Sequence, residues 1–193
     1  KMIALCSPHN PVGRVWSRKE LEEIAEIVLR HDLLVFSDEI HADLVYGETS
    51  HTSFASLSPE IAERTITGIA PSKTFNIAGL KASAIITPNE GLRGEFNRAQ
   101  EHTFGLYNAN TFAICAAEAA YRDGEPWLEE LLGYLESNRD YALEKLRAEL
   151  PKLRIPTPEG TFLLWLDCTR LGFDPQELYE LVSCEGRVGL NDG

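Results

Sequence analysis

Apolar residues fall along this chain in short continuous runs separated by stretches with a helical repeat. Met2-Ile-Ala-Leu-Cys6 is the first run. It gives way to Ser7-Pro-His-Asn-Pro-Val-Gly-Arg14, whose two prolines and glycine stop both a helix and a strand ladder. Ser17 then opens a helical stretch. Glu20, three residues on, makes a capping box, and Leu21, Ile24, Ala25 and Val28 repeat at i, i+3, i+4, i+7. Leu33–Phe36 is again continuously apolar, as a strand buried on both faces requires, and it ends in Ser37-Asp-Glu39. Strand, helix and strand in this order predict a βαβ unit with parallel strands and a right-handed crossover. A Ser/Thr-rich loop to about Ser58 and a short helical turn or loop at 59–64 lead to a third run, Thr65–Ile69. That run ends in Ala70-Pro-Ser-Lys-Thr-Phe-Asn-Ile-Ala-Gly-Leu-Lys81, with a fourth apolar stretch, Ala82–Thr87, directly after.

The second half reads as helix first and mixed structure after. Leu92, Phe96 and Ala99 give 89–102 a helical repeat, and alanine-rich 108–121 predicts a helix buried on most sides. Pro126 suits a first helical position, and the period continues over about 126–150 until Pro151 stops it. Thr161-Phe-Leu-Leu-Trp-Leu-Asp167 predicts a strand, Asp174-Pro-Gln-Glu177 caps a helix to about Glu185, and 187–190 begins one more strand. A second, smaller α/β unit is therefore expected after about residue 133, joined to the first by the long helix. Apolar runs at both ends lead us to expect a segment of a longer chain.

Composition narrows the function classes. The formal net charge of −12 lacks the basic face that nucleic acid requires. No apolar run approaches the ~18 residues of a membrane span, and no leader opens the chain, so a cytoplasmic protein without a membrane partner is expected. The four cysteines, Cys6, Cys115, Cys168 and Cys184, show neither CxxC nor metal-ligand spacing. Three lie within apolar runs and are expected to be buried thiols of a reducing compartment.

Chemistry is expected at one place. In open parallel sheets ligands sit beyond the carboxyl ends of the strands, and Asn10, Asp38 and Lys73 each lie within a few residues of such an end. A lysine at a strand tip among small polar residues suits a Schiff-base amine, which must be neutral when it attacks an aldehyde. Each residue also has a plainer reading. Asn10 could brace its turn, Asp38 could cap the following segment, and Lys73 could be solvated on its turn.

The ordered motifs Ser7-Pro-His-Asn-Pro-Val-Gly13, Ser37-Asp-Glu-Ile-His41 and Ser72-Lys-Thr-Phe-Asn-Ile-Ala-Gly-Leu80 resemble the class I/II pyridoxal-phosphate aminotransferase family of fold type I. Asp-Glu-Ile-His41, where most members have a tyrosine at the last place, and Pro158-Glu-Gly-Thr-Phe-Leu-Leu-Trp-Leu-Asp167 are similar to its MalY/PatB branch, carbon–sulfur lyases of the cystathionine β-lyase type. The resemblance implies an α/β fold, with part of a large, mainly parallel-sheet domain over 1–132 and most of a small domain over 133–193. It implies pyridoxal 5′-phosphate as cofactor, a small amino-acid substrate and a homodimer.

Carried over by position, Lys73 would bond the cofactor aldehyde and, once freed by the substrate amine, remove the Cα proton. Asp38 would pair with the pyridine nitrogen and Asn10 would bond the phenolic oxygen. His41 would contact that oxygen or buttress Asp38. Ser72 would hold the phosphate, as would Lys81, where many members have an arginine; Lys81 could equally be solvated. Tyr107, Asn108 and Asn110 lie in a loop that could face the partner subunit's cofactor. His9, His31, His51 and His102 are read as structural. The reaction implied is α,β-elimination releasing a thiol, with transamination as the alternative. The family's glycine-containing phosphate loop and ring-stacking aromatic precede this region, and its carboxylate-binding arginine follows it. A catalytically incomplete segment is therefore a further reading.

Overall fold

The three apolar runs lie side by side in chain order: β1 (Met2–Cys6), β2 (Leu34–Asp38) and β3 (Thr65–Ile69). A computed structural model describes residues 1–106 and 110–191. β1 and β2 are parallel with Ala4 opposite Phe36 and Cys6 opposite Asp38, and β2 and β3 are parallel with Asp38 opposite Gly68. All three carboxyl ends therefore reach the same sheet edge. The fourth apolar stretch forms β4 (Ala84–Ile86), antiparallel to β3, after one helical turn α3 (Pro71–Thr74) and a 3₁₀ turn.

Helix α1 (Arg18–Arg30) packs its apolar stripe on this sheet, and both halves of its capping box form between Ser17 and Glu20. Leu21, Ala25 and Val28 join Leu5, Val35, Phe54 and Ile61 in one buried cluster. The last of these lies on the short α2 (Pro59–Ala62). β2 was expected to be buried on both faces, but only Val35 and Ser37, which share one face, are buried in it. The α1 side is covered, whereas the opposite face is half-covered among the described residues.

The second half begins with α4 (Glu90–Arg98), capped by Asn89, and a π-helical turn over Ala99–Thr103. α5 (Thr111–Asp123) and α6 (Glu125–Glu149) follow, almost continuous through Gly124. α7 (Pro175–Tyr179) closes a capping box between Asp174 and Glu177 and runs on as a π-helical turn to Glu185. A second cluster gathers Leu143, Leu153 and Ile155 with Leu164, Leu166 and Cys168.

Several expectations are corrected. α5 is not buried on most sides: Ala113 is its one buried side chain, and Phe112 is 76% exposed. Residues 161–167 form no strand. Their neighbourhood makes only single bridges, Val45 with Gly160 and Arg154 with Asp167, because no second strand lies alongside among the described residues. Residues 187–190 are likewise irregular. Cys115 and Cys184 are exposed and Cys6 and Cys168 half-buried, since their apolar runs present these positions outward. No helix among the described residues is long and apolar enough to cross a membrane.

Candidate active site

The sheet edge brings together the loops that follow β1, β2 and β3. Ser7 N–H donates to the Asp38 carbonyl at 3.1 Å, and Glu39 N–H donates to the Gly68 carbonyl at 2.9 Å, so the three strands stay in register at their tips. Burial raises the Cys6 thiol, the Asn10 backbone opposes that rise, and the Asp38 charge adds to it. The thiol itself donates to the Pro8 carbonyl at 3.4 Å. The Asn10 turn is held by His9 and Arg14 backbone bonds and leaves Asn10 itself exposed.

His41 lies deeper. It is 1% exposed, and neither ring nitrogen has a hydrogen-bond partner. Buried polar atoms are almost always paired, because an unpaired one loses its water for nothing. Burial lowers the His41 imidazole below its ordinary value, the Lys73 charge lowers it further, and Asp38 pulls the other way. The ring is therefore neutral near neutral pH, and it feels the charge of both the Lys73 amine and the Asp38 carboxylate. Phe162 packs against its edge, centroid to centroid at 5.4 Å.

Asp38 accepts a 3.3 Å bond from the Ile40 amide. Its neighbour Glu39 points elsewhere, accepting from Ser37 Oγ at 2.8 Å, Ser53 Oγ at 3.1 Å and the Phe54 amide at 3.1 Å, with His51 Nε2 at 3.0 Å. Burial works to raise the Glu39 carboxyl, but His51, Ser37 and the Phe54 amide hold it below its ordinary value. Two adjacent carboxylates thus serve opposite purposes: Glu39 braces the loop and Asp38 faces the edge.

A model of the family described as "Aminotransferase class I and II" matches residues 1–183. The chain belongs to this family. It is 46% identical over 192 residues to cystathionine β-lyase PatB of Bacillus subtilis and 36% identical over 193 residues to protein MalY of Escherichia coli. Both alignments cover all of this chain and 49% of the relative. The fold matches that of cystalysin from Treponema denticola, a structure that contains pyridoxal 5′-phosphate. The TM-score is 0.96 at 37% identity, covering all of this chain and 49% of that one. The chain spans about half the length of the curated relatives it matches. Its fold is the α/β fold of this family.

The structure places the other residues that the sequence singles out as follows. Ser72 and Lys73 are half-buried on α3, whereas Lys81 is exposed at the end of the 3₁₀ turn at φ +55°. No hydrogen bond or ion pair joins Lys81 to Asp38, His41 or Lys73 among the described residues. Asn110 is exposed and caps α5, accepting from the Phe112 amide at 2.9 Å. Tyr107 and Asn108 lie outside the described residues.

Reading the sequence missed the second layer. Pro158–Phe162 is not a strand start but a strap across the site loops. Glu159 and Gly160 amides donate to Gly13 O at 2.8 and 3.0 Å, Thr161 N–H donates to Leu44 O at 2.8 Å, and the Tyr46 hydroxyl donates to the Thr161 carbonyl. Thr161 is held at φ +67°, a region disfavoured for a β-branched residue, and its neighbour is the Phe162 that meets His41. Only the Gly13 and Gly160 pair, flanking prolines in sequence, hints at such close backbone approach.

Proposed function

We propose that this chain carries the cofactor-anchoring part of a pyridoxal-phosphate-dependent carbon–sulfur β-lyase. The observation that carries this reading is His41, buried with both ring nitrogens unpartnered and within the electrostatic reach of both Lys73 and Asp38. A flat heteroaromatic ligand with a basic nitrogen, a phenolic oxygen and an aldehyde fits such a donor set. Lys73 would hold the aldehyde, Asp38 the protonated ring nitrogen, and Asn10 and His41 the phenolic oxygen. Ser72 would hold the phosphate, with Lys81 contributing charge.

When bound, the cofactor supplies an aldehyde that captures the substrate amine and a cationic ring that accepts electrons. The chain's own groups do the rest. The Asp38 carboxylate keeps the ring nitrogen protonated. The neutral His41 adds no further positive charge to that of the Lys73 amine. That amine takes the Cα proton of the amino-acid substrate. Departure of a thiol from Cβ, followed by hydrolysis, gives pyruvate and ammonia from cystathionine- or cystine-type substrates. Identity to a relative named cystathionine β-lyase supports the lyase. The family description supports transamination as the second reading.

In the whole protein we place 1–132 in a larger domain and 133–193 in a smaller one, linked by α6. We place two such chains in a homodimer, for which the exposed Phe112 and Ile114 offer apolar surface.

Borohydride reduction in the presence of pyridoxal phosphate should leave a pyridoxyl group on Lys73, located by peptide mass spectrometry and lost in Lys73→Ala. No label on Lys73 at any cofactor concentration would overturn the anchor. Pyruvate release from cystathionine, set against keto-acid-dependent amino transfer, separates the two reactions. An anchored cofactor without either reaction means that this length of chain is catalytically incomplete.

A further inference from the structure

Lys73 sits on a single helical turn, Pro71–Thr74, which is too short to fix its own orientation. Two sets of contacts hold it. Thr74 is fully buried, and its hydroxyl donates to Asp43 Oδ2 at 2.8 Å, a charge-assisted bond across 31 residues of chain. The next residue along, Phe75, packs its ring on Tyr121 at 5.9 Å and Trp127 at 5.8 Å between centroids. It fills the notch at Gly124, where a Cβ would lie 2.5 Å from that ring. Asp43 is two residues beyond His41 and five beyond Asp38. Its charge also reaches Tyr121, so the carboxylate stands where the loop after β2, the Lys73 turn and α5 meet.

We propose that Asp43 is a positioning residue: through the Thr74 hydroxyl it locks the Lys73 turn to the loop that carries Asp38 and His41, setting where the amine meets the cofactor. The proposal rests on the cofactor reading above. In this role Asp43 acts through Thr74 and not by its own contact with cofactor or substrate. It acts on the residue next to the amine, in a place where a shift of the turn would move Lys73 relative to both partners. The Phe75 contacts with Tyr121, Trp127 and the Gly124 notch tie the same turn to α5 and α6.

The test uses the full chain. Thr74→Val keeps the shape of the side chain and removes the hydroxyl, whereas Thr74→Ser keeps the hydroxyl. Below the melting temperature of every variant, we expect Thr74→Val to need about tenfold more pyridoxal phosphate for half-labelling of Lys73. Thr74→Ser should stay within about threefold of the unsubstituted chain, and Asp43→Ala should match Thr74→Val. Visible circular dichroism of the bound chromophore reports a fixed ring orientation. It should fall in Thr74→Val at saturating cofactor and return in Thr74→Ser. Equal labelling and dichroism in the unsubstituted chain and Thr74→Val would overturn the positioning role alone. Equal loss in Thr74→Ser and Thr74→Val would also overturn it, because the hydroxyl would not be the agent. Absence of label in the unsubstituted chain would overturn the cofactor reading and this proposal with it.

Discussion

The sheet half and the helical half of this chain are built from similarly apolar segments and bury them very differently. Around β1–β3, Leu21, Val28, Val35, Phe54 and Ile61 are sealed to 1% exposure or less. Along α5 and α6, Phe112, Ile114, Tyr134 and Tyr141 stay exposed, and only Ala113 and Leu143 are buried. An apolar repeat shows that a segment wants a partner, and burial then depends on whether one stands within reach. The sheet finds α1 locally, through a crossover of a few turns. α5 and α6 meet each other end to end through Gly124, which leaves most of both surfaces without cover. The groups proposed to hold the cofactor follow this division. Asn10, Asp38, His41 and Lys73 all sit on the sealed half, where side chains can be held in fixed positions.

The largest test of the contrast is a matched pair. Phe54→Ala should cost about 3–5 kcal/mol, whereas Phe112→Ala at 76% exposure should stay within about 0.5 kcal/mol. Urea unfolding of both variants reads this directly, and equal losses would erase the distinction. A smaller effect is expected where the two halves join. At Gly13, at φ +77°, an added Cβ would lie 2.6 Å from Pro158 Cβ and 2.9 Å from the Gly160 carbonyl oxygen. Gly13→Ala should cost about 1–3 kcal/mol and loosen the strap. Faster amide exchange at Glu159 and Gly160, with α1 unchanged, would show that the strap is the part released.

The smallest effect is a slope with pH. The folded His41 holds its proton less tightly than the unfolded ring, whose ordinary value is 6.5. The unfolded chain therefore takes up a proton first as pH falls. Stability is fully present above 6.5 and declines as pH drops below it. Glu39, depressed from 4.5, adds a loss only below that value, as pH falls toward its folded value. Melting temperatures between about pH 7.5 and about pH 5.5 should thus fall less steeply in His41→Gln than in the unsubstituted chain. Equal slopes would show that His41 takes up its proton as readily folded as unfolded.

Much of the sealed half was legible in advance. Three apolar runs, the Ser17–Glu20 capping box and the i, i+3, i+4, i+7 stripe of α1 are local features, and they formed close to the expected bounds. The placement of Asn10, Asp38 and Lys73 beyond strand ends followed from parallel order. Local pattern failed where the outcome depended on a distant neighbour. Residues 161–167 hold a continuous apolar run like a buried strand, but a ladder needs a second strand. Alanine-rich α5 reads as buried, but burial needs a covering surface.

The amino-acid sequence alone thus determined the family, the parallel order of β1–β3 and the tip residues, because each depends on motifs or on contacts within a few turns of chain. Only the tertiary structure decided that His41 would be buried without a partner and that Glu39 would brace a loop while Asp38 faced the edge. It alone joined Asp43 to Thr74 and laid Pro158–Phe162 across both site loops. The Glu39 brace apart, those outcomes rest on contacts between residues distant in sequence, such as Thr74 with Asp43, 31 positions apart, and Val15 with Glu159, 144 apart. No local propensity encodes a meeting at that separation. It is set by the packing of elements that have already formed.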